Sequence, residues 1–194
     1  MIILLNDVES RYDKGVLVGS KDDPITDEGI RQSSVISQYI AKRYPRPKNV
    51  VFSDAARLKQ IVHHLRLDLR GTSFRSMNSL RERDFGVLTG TIPRHESEIF
   101  TQTRICPEDG ESISQCRSRA MGVIHHYDAN FSSDVNILIS HPYLCQIITN
   151  AMENKEITIL EDAWFKKGNM VVFETSPYFK LKETVNILEI KDDN

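Results

Sequence analysis

The stretch "IILLNDVES", residues 2–10, decides the fold class: four apolar residues are followed at once by short polar ones. An apolar run that stops abruptly predicts a buried strand that delivers a loop to the edge of a sheet. In open α/β sheets this edge is where ligands usually bind. Asn6 and Asp7, the first two residues of the predicted loop, are therefore candidate site residues.

Outside this stretch, strand-like and helix-like patterns alternate along the whole chain, without repeats or low-complexity segments. Thr26 is a good N-cap for a helix that runs to about Tyr44, and Asp54 can cap a second one. "VNILIS" is the most convincing later strand, and "TVNILEI" predicts the last. Alternation of this kind favours an α/β fold.

Length and charge exclude several classes of function. The 194 residues suit one domain, which we expect over residues 1–190 with a short charged tail at 191–194. The chain carries 25 basic and 27 acidic residues, so it has no electrostatic footprint for nucleic acid or an anionic membrane. No apolar run approaches roughly 20 residues, and no secretory signal is recognisable. We expect a cytoplasmic or nuclear protein.

The cysteines and histidines predict neither disulfides nor a metal centre. Three cysteines without C-x-x-C spacing suit free thiols in a reducing compartment. Four of the six histidines form two adjacent pairs, and neighbours on a helix point about 100° apart, so a pair cannot share a metal face. We expect no metal and no cofactor.

Five local patterns carry a resemblance to a known family. They are "LLNDVES", "DDPITDEGIRQS", "VVFSDAARLKQIV", "LRERDFGVLTG", and "PEDGES" together with "ILISHP". In this order and spacing they resemble the histidine phosphatase superfamily, also called phosphoglycerate mutase-like, from residue 2 to about 190. The resemblance implies a three-layer α/β/α fold with a central, mostly parallel mixed sheet.

The resemblance also implies that the usual chemistry is lost. Active members phosphorylate a first-loop histidine, bind the phosphoryl group with two arginines and a second histidine, and use an acidic proton donor. Carried over by position, the first arginine becomes Asn6, the nucleophile becomes Asp7 and the second arginine becomes Leu58. The implied vestigial pocket comprises Asn6, Asp7, Asp13, Leu58, Glu82 and His141, of which only Glu82 and His141 match active members.

This alignment removes two cations from the pocket and adds up to two anions, at Asp7 and Asp13. Unit charges about 4 Å apart interact by roughly 4 kcal/mol at an effective dielectric of about 20, so a phosphorylated ligand is disfavoured. A shift of the alignment by one residue would instead place Arg57 in the pocket. Arg57 would otherwise point about 100° away from it.

Each remaining pocket residue has two interpretations. Asp7 is either an alternative nucleophile or a loop-stabilising carboxylate. His141 is either a phosphate ligand or general base, or a histidine bonded to Asp7 or Glu82. Glu82 is either an acid of raised pKa or a structural hydrogen-bond acceptor.

These observations predict a catalytically inactive member that acts as a protein-binding or scaffolding subunit of a complex. The alternative is a phosphatase with altered chemistry, using Glu82, His141 and Asp7 on a small phosphoester. A third possibility is a small-molecule sensor that uses the same pocket without turnover.

Overall fold

The computed structural model describes residues 1–11, 24–91, 106–156 and 166–190, and these contain six strands and four α-helices. The elements are β1 (Ile2–Leu5), α1 (Asp27–Arg43), β2 (Asn49–Ser53), α2 (Ala56–Asp68), β3 (Ser73–Met77), α3 (Ile113–Phe131), β4 (Asn136–Ile139), α4 (Pro142–Met152), β5 (Asn169–Glu174) and β6 (Lys180–Asn186). Short 3₁₀ turns lie at Asn78–Leu80, Gly86–Leu88 and Ile187–Glu189. No helix in these ranges is long and apolar enough to cross a membrane.

The strands form one sheet in the order β3-β2-β4-β1-β5-β6. The pairs β2·β3, β2·β4 and β1·β4 are parallel, whereas β5 pairs antiparallel with both β1 and β6. Four parallel strands therefore end at the same edge, where the loop after β1 also begins. This mixed, mostly parallel sheet confirms the predicted fold class.

Helices cover both faces of the sheet, because the strand side chains alternate between them. Ile3 faces the side where Ile36 of α1 and the apolar residues of α2 pack. Leu4 faces the opposite side, with Ile147 of α4 and the apolar face of α3. Full burial of such a side chain contributes about 1.5–3 kcal/mol, so the two layers anchor the strands whose ends build the site.

Local signals predicted most helix starts. Thr26 caps α1, where its hydroxyl accepts a hydrogen bond from the Gly29 N–H at 3.1 Å, and Pro142 opens α4. The prediction for Asp54 is wrong: α2 begins at Ala56 without a side-chain cap, and the Asp54 carboxylate binds Arg81 instead.

The end of the chain also differs from the prediction. The last strand, β6, already begins at Lys180 and ends at Asn186, and Ile187–Glu189 form a 3₁₀ turn. The single domain over residues 1–190 stays a prediction, and the tail at 191–194 lies outside the described residues.

Candidate functional site

The candidate site lies where β1, β2 and β4 end. Asn6 and Asp7 follow β1, Ser53 is the last residue of β2, and His141 is the N-cap residue of α4 after β4. All four residues are almost completely buried. The sheet order therefore brings together side chains that are far apart in the chain, as expected for parallel strands that end at one edge.

Gly29, in the first turn of α1, allows the helix to pack closely against the loop after β1. A Cβ atom at this position would lie 2.2 Å from the carbonyl oxygen of Glu9. The Glu9 carboxylate also accepts a hydrogen bond from the Thr26 hydroxyl at 2.7 Å. The start of α1 thus holds the loop in position.

Asp7 is a buried carboxylate with two cationic partners. Arg57 Nε donates to its Oδ2 at 2.9 Å, and Lys167 Nζ donates to its Oδ1 at 2.8 Å. Burial by itself raises the pKa of Asp7, but Lys167, His141 and Arg57 more than offset this and hold the pKa well below its usual range. Asp7 is consequently ionised at neutral pH, with both oxygens engaged.

Arg57, and not Leu58, points into the site. The Leu58 side chain is fully buried in the apolar layer between α1, α2 and the sheet. Because α2 begins at Ala56, its second residue faces the sheet edge, and the next one is turned by about 100° toward the core. The prediction that Leu58 lines the pocket is therefore wrong, and the one-residue shift matches the structure.

His141 is buried and has two hydrogen-bonding neighbours. Arg57 Nη2 lies 2.5 Å from its Nδ1, and its Nε2 lies 2.9 Å from the Ser53 hydroxyl. Guanidinium has no acceptor, so Nδ1 must accept and the proton is on Nε2. Burial and the Arg57 charge lower the pKa of His141 to about 4. The predicted neighbour Asp7 is in contact, with its Oδ2 3.6 Å from Nδ1 and so slightly beyond hydrogen-bond distance, whereas the alternative bond to Glu82 is not formed.

Glu82 caps the N-terminus of α4. Its Oε1 accepts from the backbone N–H groups of Arg83 at 2.9 Å and Leu144 at 3.0 Å, and its Oε2 accepts from Tyr143 N at 3.1 Å. Burial raises the pKa of Glu82 to about 7, against the opposing effect of these donors and of Arg57. Glu82 thus combines structural hydrogen bonding with a proton affinity suited to neutral pH.

Lys167 completes the cluster, and nothing in the sequence motifs pointed to it. It lies just before β5, which pairs antiparallel with β1 so that Leu5 is opposite Met170. Asn6 Nδ2 donates to the Lys166 carbonyl at 2.8 Å, and Gly168 N donates to the Asp7 carbonyl at 3.0 Å. These bonds fasten residues 166–168 across the loop after β1.

The remaining predicted pocket residue, Asp13, lies outside the described residues, so its placement stays a prediction. Within those residues, no group of three or more His, Cys, Asp or Glu side chains is arranged to hold a metal ion.

Comparison with known proteins identifies the family. The sequence model of the Histidine phosphatase superfamily (branch 1) matches residues 8–187. The chain belongs to this superfamily. A search of curated proteins finds no match.

Solved structures of the histidine phosphatase fold match over almost the whole chain. Mycobacterial hydrolase 1 has 17% identity and a TM-score of 0.80, covering 94% of this chain and 96% of its own. The mycobacterial glucosyl-3-phosphoglycerate phosphatase has 18% identity and a TM-score of 0.76, with 88% and 87% covered. YhfR of Bacillus stearothermophilus has 15% identity and a TM-score of 0.77, with 93% and 94% covered. At these identities the likeness shows the fold.

The site of this histidine phosphatase superfamily member contains two cations: Arg57, which only the shifted alignment placed there, and Lys167, which no alignment placed there. The predicted loss of positive charge is therefore corrected. Both cations are bound to Asp7, so the protein supplies its own anion. Arg57 Nη1 is nevertheless buried without a hydrogen-bond partner in the described part of the chain. An unsatisfied buried donor costs about 1–3 kcal/mol, and more if charged.

A polar groove of about 480 Å³ also includes Glu82 in its lining. It is lined by Asn78, Ser79, Arg81, Glu82, Asp84, Gly110, Glu111 and Arg119. Arg119 spans its floor: Nε and Nη2 bind the Glu111 carboxylate at 2.6 and 2.8 Å, and Nη1 donates to the carbonyls of Ser79 and Arg81, both at 2.8 Å. This network holds the segment that carries Glu82.

Proposed function

We propose that this domain does not hydrolyse phosphoesters and acts as a protein-binding or scaffolding subunit of a complex. The observation that supports this most directly is that Arg57 and Lys167 engage both carboxylate oxygens of Asp7. By the family resemblance, Asp7 stands where active members carry the phosphorylated histidine, and Asn6 stands in place of the preceding arginine.

The contacts of Asp7 oppose nucleophilic attack. A carboxylate whose pKa lies well below its usual range is a weak nucleophile, and its two oxygens would have to leave two ion pairs before reacting. The same cations would also be needed to hold an incoming phosphoryl group. The internal carboxylate therefore competes with the substrate for the charges that phosphoryl transfer requires.

The contacts of His141 lead to the same conclusion. Its only basic nitrogen, Nδ1, already accepts a hydrogen bond from Arg57, and its protonated nitrogen faces Ser53. With a pKa of about 4, the imidazole is neutral at pH 7 and cannot act as a cationic phosphate ligand. It therefore serves as a packing and hydrogen-bonding element.

A role in a complex is supported by the retained framework. The sheet, its two apolar layers and the cap of α4 are complete, while the polar groups at the sheet edge bind one another. A rigid fold whose site residues mostly bind one another is suited to presenting a surface, and the near-neutral charge of the chain favours a protein partner over nucleic acid.

A phosphatase with altered chemistry is the second candidate, because Glu82 has a pKa of about 7 and Arg57 lies in the pocket. In that mechanism an Asp7 oxygen would attack phosphorus while Glu82 gives its proton to the departing alkoxide. Water would then hydrolyse the aspartyl phosphate, releasing inorganic phosphate and regenerating the carboxylate. The mechanism requires Asp7 to leave Lys167 and Arg57.

An assay with an aryl phosphate between about pH 5 and 8, with and without Mg²⁺, distinguishes the two candidates. It compares the native protein with Asp7→Asn, His141→Ala and the control His63→Ala, which alters an exposed histidine of α2. We expect background rates throughout. Turnover that is lost in the first two variants and kept in the control would overturn the proposal.

The scaffolding role is tested separately, by affinity capture of the tagged protein from its native cells. We expect one partner protein in stoichiometric amount, absent when an untagged chain is used. Repeated capture without a stoichiometric partner would contradict the scaffolding role and leave the proposed loss of hydrolysis unaffected.

A further inference from the structure

The polar groove that includes Glu82 has a volume of about 480 Å³, which is within the range of ligand-binding pockets. Its two arginines are neutralised inside the chain. Arg119 forms a bidentate pair with Glu111, and Arg81 donates through both Nε and Nη2 to the Asp54 carboxylate. The two cations are therefore already committed to internal carboxylates, and the groove is not built to hold an anion.

Asp84 gives the groove an excess of negative charge. Its Oδ1 accepts a hydrogen bond from the Gly86 N–H at 2.9 Å, and its carboxylate forms no ion pair with any residue that the structure describes. Glu108 and Asp109 are exposed and also lack a cationic partner in the described ranges. They lie on a turn packed beside the groove, where Val87 N donates to the Glu108 carbonyl at 3.0 Å. The groove and its rim therefore attract cations.

The segment that carries Asp84 is held rigidly against the turn before α3. Glu111 N donates to the Asp84 carbonyl at 2.8 Å. A Cβ atom at Gly110 would lie 2.9 Å from the same carbonyl oxygen, and one at Gly86 would overlap the Glu108 carbonyl oxygen. Glycine at both positions permits this close approach. The Asp84 carboxylate is thus fixed in advance, which lowers the entropic cost of binding a ligand.

Asn78 and Ser79 add neutral hydrogen-bonding groups to the lining of the groove. Among the described residues their side chains bond only to each other, at a long 3.5 Å. A cationic ligand would therefore meet a carboxylate, an amide oxygen and a hydroxyl. Guanidinium suits several separate acceptors better than ammonium, because its five N–H donors are spread over a rigid plane.

We propose that the groove binds an arginine side chain of a partner protein, with the Asp84 carboxylate as the main contact. This inference rests on the proposed function, since it assigns a contact surface to the scaffolding role. The charge of the groove and its available acceptors support an arginine, whereas an acidic segment would meet carboxylates of its own sign.

Titration of the native protein with the peptide N-acetyl-Gly-Arg-Gly-amide at constant ionic strength tests the proposal. The nuclear magnetic resonance signals of the Gly110 backbone N–H and the Asn78 side-chain amide report on the groove directly. We expect saturable shifts with the arginine peptide. The same peptide with citrulline in place of arginine keeps the shape of the side chain without its charge and should give none. A lysine peptide should bind more weakly than the arginine peptide.

Two variants locate the contact. Asp84→Asn should weaken binding of the arginine peptide by roughly tenfold, because it removes the charge and keeps the Oδ1 acceptor for the Gly86 N–H. The control Asp109→Asn removes the same charge from the exposed turn and should change the affinity by less than about twofold, because salt screens this residue. Asparagine also tolerates its φ of 56°. If Asp84→Asn does not fold, the comparison of arginine with citrulline on the native protein still decides.

No saturable shift with the arginine peptide, equal binding of the citrulline peptide, or an equal loss in both variants overturns the inference. Tighter binding of spermidine than of the arginine peptide also overturns it, because the groove would then hold a free polyamine. The proposed function fails by different results, which are turnover in the aryl phosphate assay or capture without a stoichiometric partner. The two failures are therefore distinguishable.

Discussion

Arg57 and Arg119 both interact with Glu82, and they use their donors differently. Arg119 binds both oxygens of Glu111 and the carbonyls of Ser79, Arg81 and Glu82. Arg57 has two partners, and its Nη1 has none in the described residues. Yet Arg57 is the more buried of the two, with a side chain 5% exposed compared with 24%.

This difference in hydrogen bonding distinguishes Arg119, whose donors hold the surrounding structure, from Arg57, which keeps an unused donor. A guanidinium at a partly open groove can obtain missing hydrogen bonds from water, and Arg119 scarcely needs them. A guanidinium buried with an unused donor bears an uncompensated cost, which is typical of functional sites. The four predictions below test this distinction.

Arg57→Met should have the largest effect, about 3–5 kcal/mol of lost unfolding free energy, because it leaves the Asp7 carboxylate buried with Lys167 alone. Urea unfolding measures the loss. The control Lys59→Met, at an exposed position on the same helix, should leave the midpoint unchanged. A loss smaller than that of Arg119→Met would contradict the comparison.

The pH dependence of stability should reveal two opposing groups. Between about pH 4 and 6.5 the unfolded chain binds more protons at His141 than the folded one, so this group makes stability rise with pH. Between about pH 4.5 and 7 the folded protein binds more protons at Glu82, so this group makes stability fall as pH rises.

Each of these shifts corresponds to about 3 kcal/mol, so they nearly cancel in the native protein. Glu82→Gln removes one of them, and its stability should rise by about that amount from pH 4 to 6.5. Unfolding curves at several pH values measure the slope. An equally flat profile in the native protein and the variant would disprove the shift at His141.

Arg119→Met should cost about 2 kcal/mol, less than the change at Arg57, because water in the groove replaces part of the lost hydrogen bonding. The Glu111 carboxylate also remains partly exposed and keeps its hydration. Thermal and urea unfolding give the value. A cost equal to that of Arg57→Met would show that both arginines are structural to the same degree.

Lys182→Ala should have the smallest effect. It removes an exposed ion pair with Glu174 between β5 and β6, and both side chains are about half exposed. Such pairs contribute little because water and salt screen them. The unfolding midpoint should stay within experimental error, and a clear loss would show that surface pairs on this edge of the sheet matter more than the comparison assumes.

Local patterns predicted much of the fold. The start of α1 at Thr26 depends on one side chain and one backbone N–H group, and the strand predicted from "VNILIS" is β4 (Asn136–Ile139). Asn6, Asp7, Glu82 and His141 were also placed correctly at the edge of the sheet. Asn6 and Asp7 follow from the abrupt end of β1, whereas Glu82 and His141 were assigned to the pocket by the family resemblance.

The sequence by itself therefore determined the α/β class, most element starts and the residues that follow β1 and β4, because these depend on periodicity and on contacts within a few positions. Only the tertiary structure decided that Arg57 faces the site and Leu58 the core, since one residue of helix phase turns a side chain by about 100°. It alone brought Lys167 to Asp7, through antiparallel pairing of strands that are far apart in the chain. The protonation states of His141 and Glu82 likewise follow from burial, which no local pattern specifies.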